Sequence, residues 1–296
     1  MRSIKSGLKM PVRLLIANAL VPALPLAVRK RIVVGLGNRG LLARSFLVAE
    51  LLSDLARNDP TEYHRFLWEN HVGGPAHAKT YDVSHRFGDE KLRTSRRELF
   101  EFLCAQLRRG GIDPQRDVES VFDVGCSLGY VLRFAETEIF PSATSLRGMD
   151  VDRHAIETGT AYLRQRASKI ELLAGDVSEL DRLMGERTYD VVLCCGVLMY
   201  LNEDAAAQAV RVMLRHTRGL LGLINLAHPH ADNAQLTRSY VRSEDLGFVH
   251  NVDRMVCQAG GQVVFRKWTG PGEATRYTRN PPLFTLARPG TNLVEP

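Results

Sequence analysis

The chain uses little cysteine and shows no pattern in its use. Its five cysteines (Cys104, Cys126, Cys194, Cys195, Cys257) are odd in number and include no C-x-x-C pair. That argues against a disulfide framework or a zinc site and for a reducing compartment, so no metal is expected. A membrane span is also missing. The uncharged run Leu14 to Val28 falls short of the roughly 20 apolar residues a span needs, and it carries Pro22 and Pro25. No small-residue cleavage site precedes the basic cluster Arg29-Lys30-Arg31, so a signal peptide is not read here. There is no internal repeat and no low-complexity tract. Acidic residues are absent from 1–49, which hold nine Lys/Arg; residues 50–296 hold 30 Lys/Arg against 33 Asp/Glu. The net charge of +6 therefore belongs to the N-terminus. That segment lacks the interleaved aromatics that stack on bases, so a nucleic-acid partner is not expected. A basic, apolar, acid-free segment fits a peripheral membrane-surface contact through 1–49. A packing arm covering the main domain fits as well and is the preferred reading.

What is present is an ordinary globular composition, 45% apolar and 24% charged. Residues 41–110 read as helical. Thr94 or Ser95 to Arg109 is amphipathic, with Leu99, Phe100, Leu103 and Leu107 inward and Gly110-Gly111 closing it. Gly35 to Gly40 spells G-x-G-x-x-G, but no second strand follows it, and a turn between helical segments is the better reading. From residue 120 the pattern changes to alternating strands and helices. Strands are expected at 121–124, 145–150, 170–173, 190–194, 220–226, 262–267 and 283–287. Helices are expected at 130–138, 153–165, 203–216 and within 246–259. This alternation implies an α/β fold: a doubly wound, seven-stranded, mostly parallel sheet with a helical N-terminal region. The boundary is placed at 112. A basic arm (1–49) and a lid or substrate wall (50–112) would precede the ligand domain (113–296).

The stretch Ser120 to Arg133 is a short strand, a turn of small residues and a helix start, which is the usual cradle of a nucleotide-like ligand. Three readings of Gly125-Cys-Ser-Leu-Gly129 compete. A dinucleotide loop starting at Gly125 would need glycines where Ser127 and Tyr130 stand. A hydrolase elbow, G-x-S-x-G, is literally satisfied with Ser127 as nucleophile, but it leaves Asp123 and the later acids without a role.

The third reading accounts for more. Asp123-x-Gly125-x-Ser127-x-Gly129 resembles the first motif of class I S-adenosylmethionine-dependent methyltransferases, with Ser127 in place of the middle glycine. The resemblance continues in order through Gly148-Met-Asp150, Ala174-Gly-Asp176-Val177 and Tyr189 to Leu201, and covers roughly 120 to 288. It implies a Rossmann-like methyltransferase fold and S-adenosylmethionine as cofactor. Asp123 and the turn Gly125–Gly129 would cradle the methionine end. Asp150 would accept both ribose hydroxyls, Asp176 the adenine amino group, and the Val177 amide would meet a ring nitrogen. Cys194, closing the fourth strand, is counted with the cofactor-facing residues. Tyr81 and Arg86, ahead of the domain, would close over the methionine end, the arginine suiting its carboxylate; a linker packed on the sheet fits equally. Each Asp also has a plain reading as a loop cap.

Methyl transfer from a sulfonium needs mainly alignment, with a base only for some acceptors. Several related families place a His after the fourth motif, where this chain has Met199-Tyr200. Tyr200, His228 and His250 are weak candidates for a base. Asn280-Pro-Pro-Leu283 resembles the signature of amino-group DNA methyltransferases. It lacks the aromatic residue and precedes the last strand, so a turn is the better reading. The expectation is a cytoplasmic methyltransferase of small or medium-sized metabolites. A non-catalytic nucleotide-binding module and a Ser127 hydrolase are the alternatives.

Overall fold

The structure is a computed structural model that describes residues 21–37, 50–72, 92, 94–243, 245–269 and 281–290. The chain forms two compact units, Met1–Asp82 and Val83–Pro296. The division falls earlier than the boundary at 112 read from the sequence.

In the first unit, helices α1 (Leu26–Gly37), α2 (Ser53–Asn58) and α3 (Pro60–Glu69) meet around Val33, Leu51, Leu52, Phe66 and Leu67. α3 starts where Pro60 fixes its first turn and the Asp59 side chain accepts from the Glu62 amide. Gly35 to Gly37 lie inside α1, so the G-x-G-x-x-G string is neither a phosphate loop nor a turn over those residues. The basic cluster of α1 is largely consumed within the unit. Arg29 is buried, donates to the Leu51 carbonyl (2.8 Å), and forks onto Asp54 at 2.5 and 2.6 Å. The Arg29 guanidinium holds the Asp54 carboxyl down at about 2. Lys30 reaches Glu62 at 3.0 Å.

In the second unit, α4 (Thr94–Arg109) precedes the sheet and packs on it. Its stripe of Leu99, Phe100, Leu103 and Leu107 is buried against Val121, Leu193, Ile224 and Phe284. Each such side chain contributes roughly 2 kcal/mol of burial. α4 is therefore part of the core, not of a lid. The sheet order is β3-β2-β1-β4-β5-β9-β8, from β1 (Ser120–Val124), β2 (Ser145–Asp150), β3 (Glu171–Ala174), β4 (Tyr189–Cys195), β5 (Thr217–Leu226), β8 (Gly261–Trp268) and β9 (Pro282–Pro289). β9 alone runs against the common direction of the other six strands. The seven expected strands are all present, and the mostly parallel sheet is the one anticipated.

Between them lie α5 (Tyr130–Phe134), α6 (Arg153–Arg164), α7 (Leu180–Met184), α8 (Glu203–Arg215) and α9 (Val252–Gln258). The opposite face of the sheet (Phe122, Val124, Val192, Leu221, Leu223) is covered by Val210 and Met213 of α8 and Val252 and Val256 of α9. Two local expectations need correction. The helix expected over 130–138 turns into a π-helical segment at Ala135–Ile139. Within 246–259 the chain first forms β7 (Phe248–Val249), paired with β6 (Tyr240–Val241), before α9 starts.

Candidate functional site

β1 and β4 lie side by side at the centre of the sheet, and the carboxyl ends of β1, β2 and β4 open one crevice. The turn after β1 is held against β2: the amides of Gly125 and Cys126 both donate to the Met149 carbonyl, at 2.8 and 2.9 Å. Gly125 and Gly129 adopt φ of +78° and +81°, the left-handed region that glycine enters without steric cost. Ser127 also sits there, at φ +51°. It stands where a glycine would be free of strain, and its amide donates to Asp150 Oδ2 at 2.8 Å. On the far side, α6 comes so close that a Cβ on Gly159 would lie 2.3 Å from the Leu128 carbonyl oxygen.

Asp150 is a pin as well as a candidate ligand group. Its Oδ2 takes the Ser127 amide and its Oδ1 the Asp152 amide (2.9 Å), which leaves further lone pairs on both oxygens. Burial pushes its carboxyl up to about 6. Asp176 caps the short turn Val177–Glu179: its Oδ1 accepts from Ser178, while Glu179 accepts from the Asp176 amide. Val177 is the first residue of that turn, so its N–H has no intrahelical partner.

Asp123 is 2% exposed, and its Oδ1 has no hydrogen-bond partner. Burial pushes its carboxyl up to about 8; Arg96 opposes that rise and Asp150 adds to it. Arg96, from the first turn of α4, stands close enough to act on Asp123 and was not among the residues picked out from the sequence. Its Nη2 donates to the Cys195 carbonyl (3.2 Å) and its Nη1 to Ser95 Oγ (3.3 Å), while its buried Nε has no acceptor. The signal was available: Arg96 precedes Leu99, Phe100, Leu103 and Leu107 at helical spacing, so it lies on the inward stripe of α4.

A buried unpaired carboxyl and a guanidinium donor without an acceptor face one crevice above a glycine-bounded turn. Such a pair suits a ligand that carries both an ammonium and a carboxylate. The methyltransferase-domain family matches residues 121–219. Residues 121–219 carry a methyltransferase domain. Over 98 residues this domain is 28% identical to a ubiquinone biosynthesis O-methyltransferase of Rickettsia conorii, covering 33% of this chain and 31% of that protein. Among solved structures, the fold resembles a 1,6-didemethyltoxoflavin-N1-methyltransferase of Burkholderia thailandensis (TM-score 0.53, 18% identity, 78% of this chain and 90% of that one). It also resembles the magnesium protoporphyrin IX methyltransferase of Synechocystis (TM-score 0.51, 14% identity, 78% and 98%).

The other residues expected in the methyltransferase site divide clearly. Cys194 is wholly buried in the core among Phe122, Val124 and Leu223, so its side chain packs and does not face the crevice. Its neighbour Cys195 is the half-buried one, and its carbonyl meets Arg96. Tyr81 and Arg86 lie outside the described residues. Tyr200 is half-buried in the turn Leu198–Tyr200 that follows β4. His250 is structural. Its Nε2 lies 2.9 Å from the Leu198 carbonyl, so that nitrogen carries the proton, and its Nδ1 accepts from the Ser239 hydroxyl at 2.7 Å. In His228, Nδ1 accepts from the amides of His230 (3.2 Å) and Ala231 (3.0 Å). Its basic lone pair is thereby occupied in a turn. Neither histidine is placed as a general base. With both His250 nitrogens committed, the Ser127 hydrolase reading also loses one of the histidines available to it.

Proposed function

We propose that this chain transfers the methyl group of S-adenosylmethionine to a small or medium-sized metabolite. The carrying observation is the opposed pair of Asp123 and Arg96 in the crevice above Gly125–Gly129, each with a buried polar atom lacking a partner. When bound, S-adenosylmethionine supplies an electrophilic methyl on a sulfonium: the acceptor atom bonds to that carbon as the sulfur–carbon bond breaks, its electron pair staying on sulfur in a neutral thioether. In this reading Arg96 holds the ligand carboxylate by a charge-assisted hydrogen bond, and Asp123 faces the ammonium. Asp150 accepts the ribose hydroxyls on the lone pairs its two amides leave free. Asp176 and the Val177 amide meet the adenine edge. Gly125 and Gly129 let backbone approach the ligand closely.

Neither His228 nor His250 is placed to take a proton. The domain therefore works chiefly by alignment and exclusion of water. Tyr200 is the residue proposed to hold a proton where the acceptor needs one removed. The similar proteins include a ubiquinone biosynthesis O-methyltransferase, a magnesium protoporphyrin IX methyltransferase and a 1,6-didemethyltoxoflavin-N1-methyltransferase, which supports a small-molecule acceptor. Binding of S-adenosylhomocysteine compared with 5′-methylthioadenosine, which lacks the amino-acid end, tests the reading. Wild type should prefer the former by at least about tenfold, from one charge-assisted contact; equal affinities would reject the methionine-end assignment.

A peripheral membrane contact through 1–49 is proposed more narrowly than its basic composition alone suggests. Within the described part, Arg29 and Lys30 are paired inside their own unit, while Arg31 and Val28 are exposed. Among the described residues no helix is long and apolar enough to cross a membrane. Co-sedimentation with anionic liposomes, full chain against a deletion of 1–45, decides it; equal binding would end the proposal.

A further inference from the structure

A second set of buried polar atoms without partners lies away from the crevice pair. Asn225, near the carboxyl end of β5, is 4% exposed, and both its Nδ2 and Oδ1 lack a hydrogen-bond partner. Trp268 Nε1, at the end of β8, is likewise buried and unpaired, as are the hydroxyls of Thr269 (1% exposed) and Thr285 (0%). The register brings them together. Leu283 of β9 pairs with Asn225 on one side and with Trp268 on the other, so the three side chains share one face of the sheet. Thr285, two residues along β9, points the same way. This is the face covered by α8 and α9, opposite that of Asp123. Of the neighbouring charges, Arg266 bonds both oxygens of Asp232 and reaches Asp253 Oδ2 at 2.5 Å, while Asp253 Oδ1 is buried without a hydrogen-bond partner.

A buried amide with neither end satisfied is costly unless something occupies it. Asn225 stands at the sheet edge where the crevice opens. The carbonyl of its neighbour Ile224 accepts the Gly196 amide at 2.8 Å, immediately after β4. Only β4 separates β5 from β1, so Asn225 lies roughly 10 Å across the sheet from the cofactor turn, and Trp268, two strands farther on β8, roughly 20 Å. We propose that Asn225, Trp268 and Thr269 form the recognition subsite for a neutral, oxygen-bearing group of the methyl acceptor, a hydroxyl or carbonyl on a ring. This rests on the methyltransferase reading for its occupant. The chemistry supports neutrality: the subsite offers an amide that both donates and accepts, an indole N–H and hydroxyls, the Arg266 guanidinium beside it is paired to Asp232 and Asp253, and the unpartnered Asp253 oxygen disfavours an anionic group.

The chain has two tryptophans, Trp68 and Trp268. In a Trp68→Phe background the fluorescence of Trp268 reports the subsite directly. Titration with 4-hydroxybenzamide, a neutral ring with both groups, should give a saturable change, with affinity for the anionic 4-hydroxybenzoate about tenfold weaker or less. Asn225→Leu, which removes the amide at similar volume, should weaken 4-hydroxybenzamide binding about tenfold, raise thermal stability by relieving an unsatisfied group, and leave S-adenosylhomocysteine affinity unchanged. The proposal is overturned if neither probe gives saturation, if Asn225→Leu binds the probe as well as the parent, or if a crystal grown with 4-hydroxybenzamide shows ordered water alone on Asn225. Loss of S-adenosylhomocysteine binding in the parent would instead count against the cofactor reading, which the fluorescence titration does not measure.

Discussion

Asp123→Asn should make this protein more stable and a poorer ligand binder at once. Burial holds the Asp123 carboxyl at about 8, with Arg96 opposing and Asp150 reinforcing the rise, against an ordinary value of 3.8. Between those two values the unfolded chain has released a proton that the folded chain keeps. The stabilising contribution is therefore complete below about pH 4 and is lost progressively as the pH rises to about 8. A rise of about four units corresponds to ~5 kcal/mol at full ionisation. Relaxation and water entry around a buried carboxyl reduce that, so about 1–3 kcal/mol is expected. Asparagine is nearly isosteric and does not ionise. Urea unfolding of both proteins, without ligand, at intervals from pH 4.5 to 9 measures the difference. The variant's advantage should grow steadily to about pH 8 and then level off. A gap that is constant across this window, or that shrinks with rising pH, would refute the buried, protonated Asp123. Over the same series S-adenosylhomocysteine should bind the variant more weakly, since asparagine cannot ionise against the ligand's ammonium as Asp123 does. Stability and function then move in opposite directions, as at many preorganised sites.

Other outcomes follow from the same geometry. Arg96→Ala should weaken S-adenosylhomocysteine by roughly 1.5–3 kcal/mol and leave 5′-methylthioadenosine nearly unaffected; calorimetry with both ligands checks this. Arg96→Lys should not restore affinity, because a point charge does not replace the planar fork. Gly159→Ala places a Cβ against the Leu128 carbonyl at 2.3 Å; it should cost about 1–3 kcal/mol in denaturant unfolding and loosen the turn Gly125–Gly129. His250→Ala should cost about 2 kcal/mol by orphaning the Leu198 carbonyl, with cofactor affinity unchanged. Burial lowers the His250 pKa, so the folded state keeps it neutral. Its contribution is present above pH ~6.5 and falls away on acidification, a component that His250→Ala should remove from the pH dependence of stability.

The parallel strands were legible because each is a short apolar run bounded by turn residues, and their alternation with helices leaves few topologies open. The turn Gly125–Gly129, Asp150 and Asp176 were legible because they follow strand ends directly. Arg96 carried a signal in its place on the inward stripe of α4, but a helix ahead of the first strand reads as an appendage until that stripe is seen to pack on β5 and β9. Cys194 was misread for a reason that strand parity explains: it shares the buried face of Val192, and its backbone neighbour Cys195 alone approaches the crevice. The β6–β7 hairpin has two-residue strands, too short to carry a period. His250 looked like a possible acid or base because its spacing from the fourth strand says nothing about Leu198 and Ser239, which take both its nitrogens. Asp150 holds the Ser127 and Asp152 amides, so an alanine there would disturb the loop together with any ribose contact, and asparagine is the cleaner probe.

The most direct test of the central claim is calorimetric titration of the full chain with S-adenosylhomocysteine beside Asp150→Asn. One-to-one binding to wild type, weakened about tenfold or more in a variant that unfolds at a similar temperature, is the predicted result. A well-folded wild-type chain that gives no binding would contradict the account.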